Sequence, residues 1–250
     1  MALTHAIVRP PGNSYPHAIT RLNPPPAIDL TLAREQHAAY VAALRECDLD
    51  VIALPPDENH PDAVFTQDPV VVLEGCAIVT CAAAESRRGE GDALLTILAP
   101  HMPVAELAPP ATLDGGDVLI ADSCVYIGLS MRSNRDACKR LTSLIDRPVE
   151  GVHLSGDLLH LLSGCTYLGA NRLLVVESLA EALSQFEPII VPAEEAHAAN
   201  VLIVGRHAIV PAGYPHTAAL VERCGFQIHT VSIGEFEKRD GGVTCLSLLF

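Results

Sequence analysis

What most constrains this chain is an order of segments that recurs although no residues recur. Such internal periodicity is the mark of a fold built from like units. Four times in succession an apolar hairpin is followed by a helix and then by one more apolar strand. In the first unit, residues 64–72 and 77–81 are apolar runs joined by Glu74-Gly75, a hairpin signal. Residues 88–98 then carry Ala93, Leu94, Ile97 and Leu98 at helical spacing. Pro100 and Pro103 stop that helix, and 104–107 reads as a strand. The second unit pairs 117–120 with 125–129 across Asp122-Ser123, and continues with a helix at 134–145 and a strand at 149–153. The third pairs 166–168 with 173–176 across Gly169-Ala170-Asn171. Its helix opens with Ser178-Leu179-Ala180-Glu181, a capping-box pattern, and its strand is 188–191. The fourth pairs 200–204 with 208–210 across Gly205-Arg206. Its helix, 217–224, is stopped by Gly225, and its strand is 227–233.

The remaining segments complete a fifth unit only if the two ends of the chain meet. Residues 243–250 supply one hairpin strand and 4–9 the other. The helix is 29–45, with Ala33, His37, Tyr40, Val41 and Leu44 on one face, and the strand is 51–54. Joining the first and last strands closes a ring and removes an open sheet edge. The expected fold is therefore α/β: five strand–strand–helix–strand units about a pseudo-fivefold axis, forming one domain over residues 1–250. An ordinary mixed α/β sheet is the competing reading. With 250 residues, 49% of them hydrophobic, the chain is long enough to bury one sizeable core.

The ring gives meaning to residues that are unremarkable alone. A cysteine in an apolar tail is ordinarily packed as core, a histidine beside leucines likewise, and Asp-Gly-Gly-Asp is ordinarily a turn. Yet Asp114, His160 and Cys245 each fall at the entrance of the first hairpin strand of a different unit. Asp68 and Asn200 fall in the corresponding regions of two others. Equivalent positions in a ring converge on its axis, so these five would share a central cavity. A thiol, an imidazole and a carboxylate are the parts of an activated nucleophile. Cys245 also follows Gly241-Gly242, where the backbone can approach a ligand closely.

Charge and cysteine usage narrow the class. The net charge of −14 opposes nucleic acid and anionic membranes, and suits a cationic ligand. The eight cysteines show no Cys-x-x-Cys and no metal-finger spacing, so reduced thiols in a cytoplasm are expected, with no metal. Cys47, Cys76, Cys81, Cys124, Cys138, Cys165 and Cys224 read as small core residues. Neither an export signal at Met1-Ala2-Leu3-Thr4-His5 nor an apolar run long enough to span a membrane is expected.

Taken in order, the motifs resemble those of the dimethylarginine dimethylaminohydrolases, within the guanidine-modifying pentein superfamily of five-bladed α/β propellers. The resemblance runs nearly end to end. It includes Asp62-Ala63-Val64-Phe65 with Asp68, Ser86-Arg87-Arg88, Leu113-Asp114-Gly115-Gly116-Asp117, Gly128-Leu129-Ser130-Met131-Arg132, His160-Leu161-Leu162-Ser163 and Asp240-Gly241-Gly242-Val243-Thr244-Cys245. It implies Cys245 as nucleophile, His160 as general acid and base, and Asp114 as the group orienting His160. It implies Asp68 and Asp62 on the substrate guanidinium, Arg87 and Arg132 on its α-carboxylate, and a lid from Gly12 to Thr20. Phe65, Gln67, Ser163 and Asp240 join the implied substrate-binding set. No cofactor is implied, the partner being a small guanidino cation, methylated arginine or arginine; a homodimer is left open.

One residue departs from the family pattern. A second acid usually precedes Asp68, and here Gln67 is neutral. Gln67 is accordingly expected to alter the preference among methylated, free and otherwise substituted arginines. Arginine deiminases and amidinotransferases share the covalent intermediate and remain alternatives, as does a non-catalytic ribosome-binding factor with the same ring. The last would need neither Cys245 nor His160.

Overall fold

Apolar runs without a polar alternate residue need cover on both faces. The computed structural model, which describes residues 3–154 and 158–250, provides it by setting small sheets side by side around an axis. Met1 and Ala2, read above as lacking an export signal, lie outside the described residues.

The chain enters with β1 (His5–Val8), α1 (Leu30–Glu46) and β2 (Asp50–Ala53). The first full unit is β3 (Val70–Leu73), β4 (Cys76–Val79), α2 (Asp92–Leu98) and β5 (Val104–Glu106). The second is β6 (Val118–Ile120), β7 (Val125–Leu129), α3 (Arg135–Thr142) and β8 (Val149–His153). The third is β9 (Cys165–Tyr167), β10 (Arg172–Val175), α4 (Glu177–Ala180) and β11 (Glu187–Ile190). The fourth is β12 (Leu202–Val204), β13 (His207–Pro211), α5 (Pro215–Arg223) and β14 (Gln227–Val231). A short α6 (Gly234–Glu237) leads to β15 (Leu248–Leu249), which pairs antiparallel with β1. Among the described residues five three-stranded sheets result, each an antiparallel hairpin extended by one parallel strand. This is the five-bladed α/β propeller, closed by the first and last strands.

Period-two alternation explains why β1 is apolar on both faces. Ile7 of β1 packs with Val70, Leu94 and Leu98 of the next blade, while Ala6 and Val8 face Tyr40, Leu44 and Ile209 on the other side. The core is thus a set of layers between blades. Local signals place the ends of several elements. Asp29 and Asn134 cap α1 and α3 by accepting backbone N–H bonds. The Glu74-Gly75 turn takes positive φ at both residues, as a tight hairpin requires.

Three expectations change. The Ser178 capping box is not formed; α4 begins at Glu177, with Val176 at the cap position and no side-chain cap bond. The strands expected over 64–72 and 243–250 shorten to β3 and β15. Their lost portions turn instead, and Cys245 sits in a 3-10 turn, Thr244–Leu246. Similar turns precede β6 (Gly115–Asp117) and β9 (Leu161–Ser163). Strand entrances near the axis therefore break into turns that aim side chains inward.

Candidate active site

Asp114 precedes the turn before β6, and His160 precedes the turn before β9. Both are buried, and His160 Nε2 lies 3.3 Å from Asp114 Oδ2. Space for the imidazole exists only because residue 116 is glycine: a Cβ there would meet His160 Nδ1 at 2.6 Å. Asp117 fixes the same corner. It accepts Leu161 N–H at 2.9 Å and the Ser130 and Ser133 hydroxyls at 2.6 Å each.

Cys245 shares two adjoining cavities with His160 and Asp240. One continues toward Asp62, Phe65, Asp68, Arg87 and Arg132. The other continues toward Ser163, Asn200, His197 and Glu237. Asn200 ties the His160 and Cys245 turns together. Its Nδ2 donates to Leu162 C=O at 2.9 Å and to Thr244 Oγ1 at 2.8 Å, and its Oδ1 accepts Thr244 N–H at 3.0 Å. Gly242 leaves room for this amide, since a Cβ there would lie 2.3 Å from Asn200 Oδ1.

The electrostatics follow from burial and from a concentration of carboxylates. Burial pushes the Cys245 thiol up to about 12, with Asp68 adding to the push. The Gly242 N–H, 3.4 Å from the sulfur, and Arg87 offset only part of this. Burial alone would lower His160, but Asp68, the bond to Asp114, and Asp117 outweigh it and hold the imidazolium above the usual histidine range. Asp68 is buried too, yet Arg87, His160 and the Gly116 N–H keep it below the usual carboxylate range. The surroundings thus disfavour the Cys245 thiolate while favouring the charged forms of His160 and Asp68.

Several residues stand differently from expectation. The Arg87 guanidinium is enclosed by the chain's own acids: Nη1 is 2.8 Å from Asp68 Oδ2, while Nε and Nη2 donate to Glu90 at 2.8–3.2 Å. A substrate carboxylate would have to displace one of them, so Arg87 braces Asp68 instead of offering an open anion site. Arg132 is less enclosed, its Nη1 3.5 Å from Asp114 Oδ2. Asp62 and Asp240 line the cavity but also fasten the loop expected as a lid. Asp62 accepts Ile19 N–H at 3.0 Å, and Asp240 accepts the Thr20 hydroxyl at 3.1 Å and Arg21 N–H at 2.8 Å. Ile19 and Arg21 thereby enter the cavity walls. Gln67 reaches neither Cys245 cavity. It lines a separate hollow with Val70, Val71, Gly115 and Leu248, among the inner strands, and its Oε1 is buried without a hydrogen-bond partner. Neighbouring residues of this turn point to opposite sides, so Asp68 faces the thiol and Gln67 does not. Gln67, expected in the substrate-binding set and to alter substrate preference, thus lies outside both Cys245 cavities.

Sequence reasoning missed Glu90, whose partner Arg87 lies three positions earlier, and gave Asp117 and Asn200 no role. Asn200 had one signal: its equivalent place in the fourth unit.

A family model for eukaryotic N,N-dimethylarginine dimethylhydrolase matches residues 21–202. The N(G),N(G)-dimethylarginine dimethylaminohydrolase of Pseudomonas aeruginosa is 37% identical, over 98% of this chain and 99% of its own. The structure of a dimethylarginine dimethylaminohydrolase from that organism, a cysteine-to-serine mutant complexed with citrulline, superposes with a TM-score of 0.95, 36% identity and complete coverage of both chains. A dimethylarginine dimethylaminohydrolase adduct with S-methyl-L-thiocitrulline gives 0.94 at 36% identity, over 99% of this chain and 100% of that one. Matched along its whole length in both sequence and fold, the chain belongs to the dimethylarginine dimethylaminohydrolase family.

Proposed function

We propose that this protein hydrolyses the guanidinium group of Nω-methylated arginines, giving citrulline and methylamine or dimethylamine. The observation that carries the reading is the convergence of Cys245, His160 and Asp68 from three blades on one pair of cavities, with Asp114 of a fourth blade bonded to His160 from behind. Relatives named for this activity, and a family structure holding citrulline, support it.

The chemistry follows from the charges. A guanidinium carbon is a poor electrophile because its charge is delocalised. Asp68, held anionic, and Asp62 grip the cation by charge-assisted hydrogen bonds and keep it planar against the sulfur. The same cation lowers the pKa of Cys245, so binding releases the thiol proton to solvent. The thiolate attacks the central carbon, forming a C–S bond and a tetrahedral adduct. His160, already an imidazolium, protonates the departing amine as its C–N bond breaks. A thiouronium remains on Cys245. Water attacks it with neutral His160 as base, the C–S bond breaks, and the ureido product leaves with the thiolate restored. Asp114 holds the imidazole through Nε2, and Arg132 is the group placed to meet the substrate carboxylate. This sequence draws on no group beyond the chain and water. Among the described residues no helix is long and apolar enough to cross a membrane, and a cytoplasmic setting suits the free thiols.

The test is product analysis with arginine, monomethylarginine and asymmetric dimethylarginine, beside Cys245→Ser. Citrulline with methylamine or dimethylamine, absent in the variant, is expected. Citrulline and ammonia from arginine alone would move the protein to the deiminases, and no citrulline from any of the three would overturn the reading.

A further inference from the structure

At the joint between α1 and the fourth blade, three ligand-type side chains meet. Cys47 follows the last residue of α1, His207 opens β13, and His229 lies in β14. The parallel register explains the meeting. Ile209 pairs with His229, and His207 is two residues before Ile209, so both imidazoles leave the same face of the sheet, toward α1. The Cys47 sulfur and one nitrogen of each ring lie within 4.8 Å of one another, and His207 Nδ1 is 3.0 Å from His229 Nε2. Cys47 and His207 are buried.

We propose that Cys47, His207 and His229 form a zinc site that clamps α1 to the fourth blade. A thiolate with two imidazoles is a donor set of the borderline softness that Zn2+ selects. Tetrahedral Zn2+ with bonds of about 2.0–2.3 Å sets its ligand atoms roughly 3.3–3.7 Å apart, so these donors, within 4.8 Å of one another, need to close by about 1 Å or a little more. The outer partner is also in place. His229 Nδ1 lies 3.1 Å from Glu46 Oε2, and donation to that carboxylate leaves Nε2 as a lone pair aimed at the site. Without a metal, the facing ring nitrogens of His207 and His229 can share a single proton. A bound ion takes that place, with His207 moving its proton to Nε2 and Cys47 losing its thiol proton. The fourth position opens onto a hollow lined by Asp48 and Arg206, room for a water ligand. The site is separate from the Cys245 cavities and does not depend on the hydrolase reading.

The experiment is a Co2+ titration of the full chain, with Co2+ as a spectroscopic stand-in for Zn2+. It is run on Cys245→Ser, so that the Cys245–His160 pair cannot supply a thiolate. One equivalent of Co2+ is expected to raise a thiolate-to-cobalt charge-transfer band and intense tetrahedral d–d bands, both abolished by Zn2+. Adding Cys47→Ala should remove the charge-transfer band, and adding His229→Gln, which removes a ligand itself, should weaken binding by more than the roughly 10- to 100-fold that losing an outer partner costs. Should Cys47→Ala fail to fold, the half-buried His229→Gln carries the comparison. No charge-transfer band in Cys245→Ser, or an unchanged band in either second variant, would overturn the site.

Discussion

Asp68→Asn separates the charge argument from a general weakening of the site, because it should move two rates in opposite directions. Asp68 is the second cause, after burial, of the raised Cys245 thiol. With that thiol at about 12, the thiolate fraction at pH 7 is roughly 1 in 10⁵, against about 1 in 10² for an ordinary thiol near 9. A neighbouring charge shifts a pKa by about 1–3 units, and Arg87 already offsets part of Asp68, so the low end applies. Removing the carboxylate should then lower Cys245 by about one unit and leave burial to keep it high. Iodoacetamide, a neutral reagent, should alkylate Cys245 about 10-fold faster in the variant at pH 7.

Hydrolysis should move the other way. The variant loses the anion proposed to grip the guanidinium and one of the charges that raise His160. A charge-assisted hydrogen bond contributes about 1.5–3 kcal/mol, so kcat/KM for asymmetric dimethylarginine should fall by roughly 10- to 100-fold from the grip alone. The fold should survive: the carbonyl of the introduced amide can still accept the Gly116 N–H, and Arg87 keeps Glu90. The assay pairs peptide-resolved alkylation of Cys245 with steady-state hydrolysis on the same preparation. An alkylation rate that is unchanged or slower would refute the electrostatic account of the thiol. Hydrolysis at the wild-type level would refute the role given to Asp68 as the cation's anchor.

Asn200→Ala removes the amide that joins the His160 turn to the Cys245 turn, and leaves Leu162 C=O and Thr244 N–H without their partner. Urea denaturation should show a loss of about 2–4 kcal/mol, and kcat should fall more than KM rises, since the nucleophile and acid lose their mutual register. Glu195 gives a pH-dependent case. Burial would raise it, but bonds from Thr217 and His216 at the start of α5 outweigh burial and hold the carboxyl down at about 2. Because the folded pKa lies below the ordinary value of 4.5, its stabilisation is present above pH 4.5 and is lost as pH falls toward 2. Glu195→Gln should therefore destabilise the protein by about 1–2 kcal/mol at pH 7, the gap closing between those two pH values in paired thermal melts.

What was legible in the sequence was whatever local chemistry decides. Strands β7 and β8 fall where the repeat places them, and Glu74-Gly75 turns where a two-residue loop must. What was not legible lies where distant segments decide. Residues 64–69 and 243–247 continue the apolar runs that end in β3 and β15 and were expected in strands, yet they turn. Near the axis their backbone bonds go to other blades: Gln67 N–H to Cys245 C=O, Gly115 N–H to Asp68 C=O, Thr244 N–H to Asn200. Those bonds replace a strand ladder, and no propensity encodes them. The same reason separates Gln67 from Asp68. Adjacent in sequence and both polar, they look like one binding motif. A turn whose backbone partners, Gly115 and Cys245, belong to two other blades sends one side chain to the thiol and the other between the inner strands. Arg87 adds the converse lesson. Its charge suggested an anion from outside, but a buried guanidinium binds whichever carboxylates packing brings to it, and here those are Asp68 and Glu90. Residue type thus named the chemistry available at the axis, while only the closed ring decided which groups spend their charge on each other and which keep it for a substrate.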